Sequence, residues 1–220
     1  MIFVNYDLFK SVRKNDIIIN MRMINCYDVL IFKNNIFCNI VRIYKKKVIF
    51  VQAKVYLKEI KKSDLNILNN YNNDFNKLNK KGWVNKDKFV DLLEEWKKNN
   101  NDSKRVHFFP YWLFADNDVI GLIIIKTNIE VDEMWREYGG NISYVILPSY
   151  RKMGYGTVSL SLALDKCNKL GLNSVLVTCL DDNIGSIKII ENNNGKLKDT
   201  IIDKYNNGML SRRYIINIKK

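Results

Sequence analysis

Arg151-Lys152-Met153-Gly154-Tyr155-Gly156-Thr157 sets two cationic side chains beside two glycines one residue apart, and that combination suits a bound polyphosphate. Glycine lacks a Cβ, so backbone N–H groups beside it can approach an anion closely. A helix start adds unpaired N–H groups and roughly half a positive charge. Arg151 and Lys152 add charge-assisted contacts. A plain glycine turn with solvated basic residues has the same local composition, so the flanking elements must decide.

Those elements read as β-turn-α-β. Asn141 to Leu147 is rich in β-branched and aromatic residues and stops at Pro148, which cannot extend a ladder. From Thr157 to Leu170, the residues Leu160, Ala163, Leu164, Cys167 and Leu170 recur at helical spacing, and Gly171 stands where a left-handed cap is wanted. Asn173 to Leu180 has the length and β-branching of a buried strand. A dinucleotide fingerprint shares this order but fails in detail. Ser159 occupies its third glycine position, and Pro148 to Met153 separate the strand from the first glycine. No Gly-Lys-Ser/Thr occurs, which excludes a Walker phosphate loop.

The order of parts resembles the GNAT acetyltransferase superfamily, whose acetyl-CoA loop R/Q-x-x-G-x-G/A corresponds to Arg151 through Gly156. Thr178-Cys179-Leu180-Asp181-Asp182-Asn183-Ile184-Gly185-Ser186 and Ile189 to Gly195 look like that superfamily's fifth strand, its following asparagine and its closing helix. With Gly139 to Tyr144 and Arg212-Arg213-Tyr214, the likeness is to a branch of bacterial predicted acetyltransferases. The resemblance implies an α/β (α+β) GNAT fold: a central mixed, mostly antiparallel sheet with splayed strands four and five, flanked by helices.

It also implies transfer of an acetyl group from acetyl-CoA to an amine by direct attack in a ternary complex. Backbone groups of Val145, Ile146 and Leu147 would hold the pantetheine arm. Arg151, Lys152, Met153, Gly154, Tyr155, Gly156 and Thr157 would hold the pyrophosphate. Asn183 would contact the arm or cap its helix. An amine that titrates near ~10.4 needs a proton acceptor at neutral pH. Glu130, Asp132, Glu133 and Glu137 precede the fourth strand, with Glu137 nearest to it. The superfamily's usual tyrosine acid falls at Ile190, leaving Tyr144 and Tyr205 as substitutes, or a thiolate that departs unprotonated. Since the loop is expected at the surface, Gly156→Val should strike cofactor binding and leave the fold intact.

The rest of the chain supports this order. Val51 to Leu57 alternates as a first strand, Ser63 can cap a helix carrying Leu65, Ile67 and Leu68, and Phe89, Leu92, Leu93 and Trp96 share a helical face. By resemblance Trp83, Phe89 and Trp96 flank the acceptor site, although core packing explains the stripe equally. Tyr111–Ala115 and Val119–Ile125 form a hairpin across Asp116-Asn117-Asp118, Glu130 to Tyr138 reads as a short acidic helix, and Lys196–Asp203 pairs with Met209–Ile218 across Asn206-Asn207-Gly208. Residues 1–48 carry strand-like runs at Asp16–Ile19, Val29–Phe32 and Ile36-Phe37, and are read as an N-terminal extension before an acetyltransferase domain at 49–220.

Composition bounds the alternatives. With 220 residues and 47% apolar side chains, the chain can bury one sizeable core. Of the net charge of +13, +6 falls in residues 1–50 and the rest is diffuse, which suits a solvated surface better than a nucleic-acid groove. Cys26, Cys38, Cys167 and Cys179 are scattered and His107 is the only histidine, so no metal set is legible and reduced thiols are expected. The N-terminus lacks a signal pattern and no apolar run spans a membrane, so a cytoplasmic location is expected. The resemblance implies a small-molecule or peptide amine as acceptor. The rival from another class is a non-catalytic module binding acyl-CoA or, through its basic surface, nucleic acid.

Overall fold

The computed structural model describes residues 3–4, 29–34, 37–44, 47–65 and 86–218. Asp16–Ile19, Ile36, Ile67, Leu68 and Trp83 lie outside them. The strands are β1 (Phe3–Val4), β2 (Val29–Asn34), β3 (Phe37–Tyr44), β4 (Lys47–Glu59), β5 (His107–Ala115), β6 (Asp118–Thr127), β7 (Ile142–Ile146), β8 (Ser174–Leu180), β9 (Lys196–Asp203) and β10 (Met209–Asn217). The helices are α1 (Lys86–Asn99), α2 (Tyr155–Lys169) and α3 (Ile184–Glu191).

Seven strands form one antiparallel sheet in the order β2-β3-β4-β5-β6-β7, with β1 also on β4. A second sheet has the order β8-β10-β9. The first expected strand is longer than the sequence suggests: β4 pairs with β3 through residues 47–54 and with β5 through residues 55–59. The apolar run Val119 to Ile125 is explained by its position, because β6 lies between β5 and β7 with both faces covered.

Helix α2 packs on one face. Its Leu160, Ala163 and Cys167 are fully buried against Val55, Ile123, Ile142 and Val177. Burying each large aliphatic side chain there contributes roughly 1.5–3 kcal/mol. Gly171 adopts φ +83 and Leu172 N–H donates back to Cys167 O (3.0 Å), which ends the helix as the sequence predicts. Helix α1 covers the opposite face, where Phe89 and Leu93 meet Trp112, Leu122 and Leu147. The turns at 116–117 and 206–208 form as expected, with Asp116, Asn207 and Gly208 in the left-handed region.

The acidic segment 130–138 differs from its predicted α-helix. A 3₁₀ turn (Ile129–Val131) is followed by a π-helical turn (Met134–Gly139). Extended Asp132 separates them, and its Oδ1 accepts from Trp135 N–H (3.2 Å). The expected helix at Ser63 begins as a 3₁₀ turn over Lys62–Leu65.

Candidate active site

Strands β7 and β8 meet at one point and part beyond it. Asn141 N–H donates to Leu176 O (2.7 Å), and Leu176 N–H donates to Asn141 Oδ1 (2.8 Å). Asn141 Nδ2 also donates to Lys126 O (3.0 Å), tying the junction to β6. Gly140, at φ +61, runs so close that a Cβ would sit 2.5 Å from Leu176 O. No ladder joins the two strands among the described residues, so they splay as expected.

The hydrogen-bond phase of β7 decides which backbone groups face that gap. Leu147 N–H donates to Ile120 O (2.9 Å), and Val145 and Ser143 are in register with Leu122 and Ile124. Residues bonded in an antiparallel ladder alternate with residues that face the other edge. Tyr144 and Ile146 therefore present N–H and C=O to the gap. Of the expected holders Val145, Ile146 and Leu147, only Ile146 does so. Tyr144 replaces the other two: Val145 is turned to β6, and Leu147 gives its N–H to Ile120 and its carbonyl to Tyr150 N–H (2.9 Å).

The glycine turn stands at the open end. A 3₁₀ turn (Pro148–Tyr150) leads to Arg151, whose Nε donates to Ile146 O (2.9 Å). Lys152 and Gly154 both adopt positive φ (+61 and +76), which swings the chain into α2. Thr157 and Val158 N–H donate to Gly154 O (3.0 and 3.3 Å). Arg151 and Lys152 are exposed, and Met153 and Thr157 are half-buried.

Tyr155 and Gly156 are buried, which corrects the expected surface placement. Gly156 is where α2 crosses α3: a Cβ there would sit 2.4 Å from Ile189 Cδ1 and 3.1 Å from its Cγ1. A side chain at this position must displace that of Ile189, so Gly156→Val disturbs helix packing as well as any phosphate bound at the turn.

The gap also receives one lone hydroxyl. Tyr144 Oη is buried with no hydrogen-bond partner among the described residues, close to Ser186 but beyond bonding geometry, and burial pushes its pKa to about 12. Asn183 caps α3, its Oδ1 accepting from Ser186 N–H (3.1 Å). Ile190 is fully buried in the core beneath α3. Tyr205 stacks edge-to-face on Tyr138 at the β9–β10 turn (5.2 Å).

Glu137 is not poised as a base. Arg136 Nε donates to its Oε1 (3.0 Å) and Arg213 donates to its Oε2, and these guanidiniums hold its carboxyl below the ordinary range. Arg213 is shared with Asp199 (2.6 Å), which makes Glu137 part of a clamp on β10. Glu133 pairs with Lys204 (2.7 Å). His107 Nε2 lies against Asp102 O (2.9 Å).

A group that sequence reasoning missed lies on the α1 face of β6. Lys126 is 1% exposed, and its Nζ lies 2.6 Å from Ser143 Oγ and 4.5 Å from the centre of the Trp135 ring. Burial lowers its pKa to about 7. The sequence signal was slender: one cation ending an apolar strand, nine residues before a tryptophan.

Among the described residues no cluster of histidine, cysteine, aspartate and glutamate could hold a metal, and no helix is long and apolar enough to cross a membrane.

A family model described as an acetyltransferase (GNAT) domain matches residues 54–196, more than half of the chain. No curated protein matches the sequence. Among solved structures, the microcin C7 self immunity acetyltransferase MccE, in complex with acetyl-CoA and AMP, superposes with a TM-score of 0.56 at 17% identity, over 74% of this chain and 92% of that one. The acetyl transferase from Salmonella typhimurium that modifies the N-terminal serine of ribosomal protein L7/L12 gives 0.56 at 15%, over 75% and 95%. Spermidine N-acetyltransferase from Vibrio cholerae, in complex with CoA and spermine, gives 0.55 at 16%, over 74% and 95%. At these identities the likeness is one of fold.

Proposed function

We propose, from the premise that this chain belongs to the GNAT acetyltransferase family, that it moves the acetyl group of acetyl-CoA directly onto an amine held in the same complex. The observation that carries this reading is the gap between β7 and β8, with Tyr144 and Ile146 turned into it and the glycine turn at its open end. An extended pantetheine arm can add to that edge as a strand would. The leading amides of α2, with Arg151 and Lys152, suit the pyrophosphate. Acetyl-CoA supplies the activated acyl group as a thioester. Catalysis then rests on positioning and on donors aimed at the developing oxyanion, which backbone amides can provide.

Tyr144 serves the leaving thiolate as a hydrogen-bond donor. With its pKa at about 12, giving its proton to a thiolate that titrates near ~8.5 is uphill by about 5 kcal/mol. Donating a hydrogen bond requires no such transfer. This hydroxyl answers the one observation that favours a non-catalytic acyl-CoA-binding module, the burial of Ile190 where the family commonly has a tyrosine.

The acceptor is an amine, small or peptidic, in a cytoplasmic setting. The family model begins at residue 54, which supports an acetyltransferase unit over 49–220 with residues 1–48 as an extension outside the site. Free-thiol release from acetyl-CoA is to be measured across polyamines, amino acids and peptide N-termini, beside calorimetric titration with acetyl-CoA. Turnover with at least one amine is expected. Tight acetyl-CoA binding with no turnover across the panel would establish the non-catalytic module instead.

A further inference from the structure

Lys126 is a buried amine with no counter-ion among the described residues. The elements packed against it bring Phe108 from β5, Ser143 from β7, Asn141 from just before β7, and Trp135 from the π-helical turn. Charged groups on those elements are engaged elsewhere: Arg136 with Glu137 and the carbonyl of Glu130, Glu137 with Arg213, Glu133 with Lys204, and His107 with Asp102 O. Ser143 Oγ is the polar side-chain atom bonded to Nζ. An isolated ammonium in such a place is costly, and a neutral amine removes that cost.

Ser143, bonded to this amine, is the neighbour in sequence of Tyr144, whose backbone edge faces the gap. It is half-buried and lies on β7 between Asn141, which closes the gap, and Ile146, which faces it. Its side chain lies on the α1 face, opposite α2 and the glycine turn.

We propose that Lys126, reached through the hydroxyl of Ser143, is the proton acceptor that makes the incoming amine nucleophilic. The inference rests on the acetyltransferase reading and gives it the base that Glu137 cannot be. With Lys126 neutral, Ser143 O–H donates to Nζ and Oγ can accept from the substrate ammonium. The substrate's proton passes to Oγ as the serine's own proton passes to Nζ, leaving a neutral amine, an intact serine and a lysine ammonium. The amine then forms its C–N bond to the acyl carbon, the C–S bond breaks, and the second amine proton leaves with the CoA thiol. Lys126 returns its proton to water after product release. A base with a pKa near the working pH is the effective one for such a relay.

The test follows kcat/KM against pH for the full chain, with acetyl-CoA and either spermidine or a serine-initiated peptide as acceptor. It is paired with a ¹³C NMR titration of labelled lysine side chains. In the wild type, kcat/KM should fall below about pH 7, and one lysine resonance, absent from Lys126→Met, should titrate over the same range. Ser143→Ala should lower kcat/KM by about 100-fold, within the range for lost acid–base catalysis. Lys126→Met should lower it at least as far and abolish the acid limb, with acetyl-CoA affinity unchanged. A lysine titrating only near its ordinary value, or an acid limb that persists in a folded Lys126→Met, would overturn the proposal. If the whole amine panel, these two acceptors included, releases no thiol while the NMR titration appears as expected, the transferase reading fails and the relay falls with it.

Discussion

Asn141 imitates a β-strand to Leu176 with its side chain, offering Oδ1 to Leu176 N–H at 2.8 Å while its own N–H reaches Leu176 O at 2.7 Å. Two sheets that share no ladder are thereby pinned at one point, and the gap opens from there. Asn141→Ala would leave Leu176 N–H and, through the lost Nδ2 contact, Lys126 O short of partners inside the protein. Buried orphans of this kind cost about 1–3 kcal/mol each. Urea unfolding should show a loss of roughly 2–4 kcal/mol with an unchanged m-value, and acetyl-CoA affinity should fall with it. A variant as stable as wild type would mean that the pin is decorative.

Arg151→Ala tests the glycine turn without disturbing packing, because the side chain is exposed and its bond is to a carbonyl at the gap's edge. Loss of a charge-assisted contact to a phosphate costs on the order of 1–3 kcal/mol, so acetyl-CoA should bind roughly ten- to a hundredfold more weakly. The melting temperature should move little. Unaltered affinity by calorimetry would remove this arginine from the cofactor site.

Local chemistry was legible in the sequence, and contacts across the sheet were not. Gly171, Asn183 and the 206–208 turn announce themselves because their roles depend on their own backbone or on residues within five positions. The order β7-α2-β8 is equally local, being set by hydrophobic period and punctuation. Lys126 reads as the solvent end of a strand until the 134–139 turn folds Trp135 over it. Glu137 reads as a free carboxylate until Arg213, 76 residues away, reaches it. The phase of β7, which selects Tyr144 over Val145, is fixed by Leu147 bonding to Ile120 and has no signature in β7 itself.

Burial of Lys126 makes stability depend on pH in a defined direction. Its pKa is about 7 when folded and near its ordinary 10.5 when unfolded, so between those values the unfolded chain binds more protons. Stability therefore rises with pH over that window. The gain should approach about 3–5 kcal/mol at its upper end. Tyr144, Cys167 and Cys179 oppose it toward pH 11, since burial raises their values and the unfolded chain loses those protons first. The difference between wild type and Lys126→Met isolates the lysine. Urea midpoints from pH 6 to 10 should climb in wild type relative to the variant, and parallel curves would show that Lys126 stays charged in the folded protein.

The two glycines that the sequence presents as one motif serve different ends. Gly154 serves the turn through φ +76, whereas Gly156 serves the crossing of α2 over α3, where a Cβ would meet Ile189 Cδ1 at 2.4 Å. Gly156→Ala makes Ile189 give way, an overpacking cost of up to about 1–3 kcal/mol that the roughly 1 kcal/mol gained by alanine over glycine in a helix partly offsets, with acetyl-CoA binding weakened only as far as α2 is displaced. Shortening the opposing side chain tests the cause directly. Ile189→Val removes Cδ1 and alone should cost about 0.5–1.5 kcal/mol. Combined with Gly156→Ala it should make the pair more stable than the sum of the two single losses, by a coupling of roughly 1 kcal/mol or more. Urea denaturation of the four proteins in the cycle measures that coupling, and acetyl-CoA titration of the double variant reports whether binding returns with packing. Additive losses would show that the glycine is needed for something other than Ile189. Recovered stability without recovered binding would return Gly156 to the phosphate site.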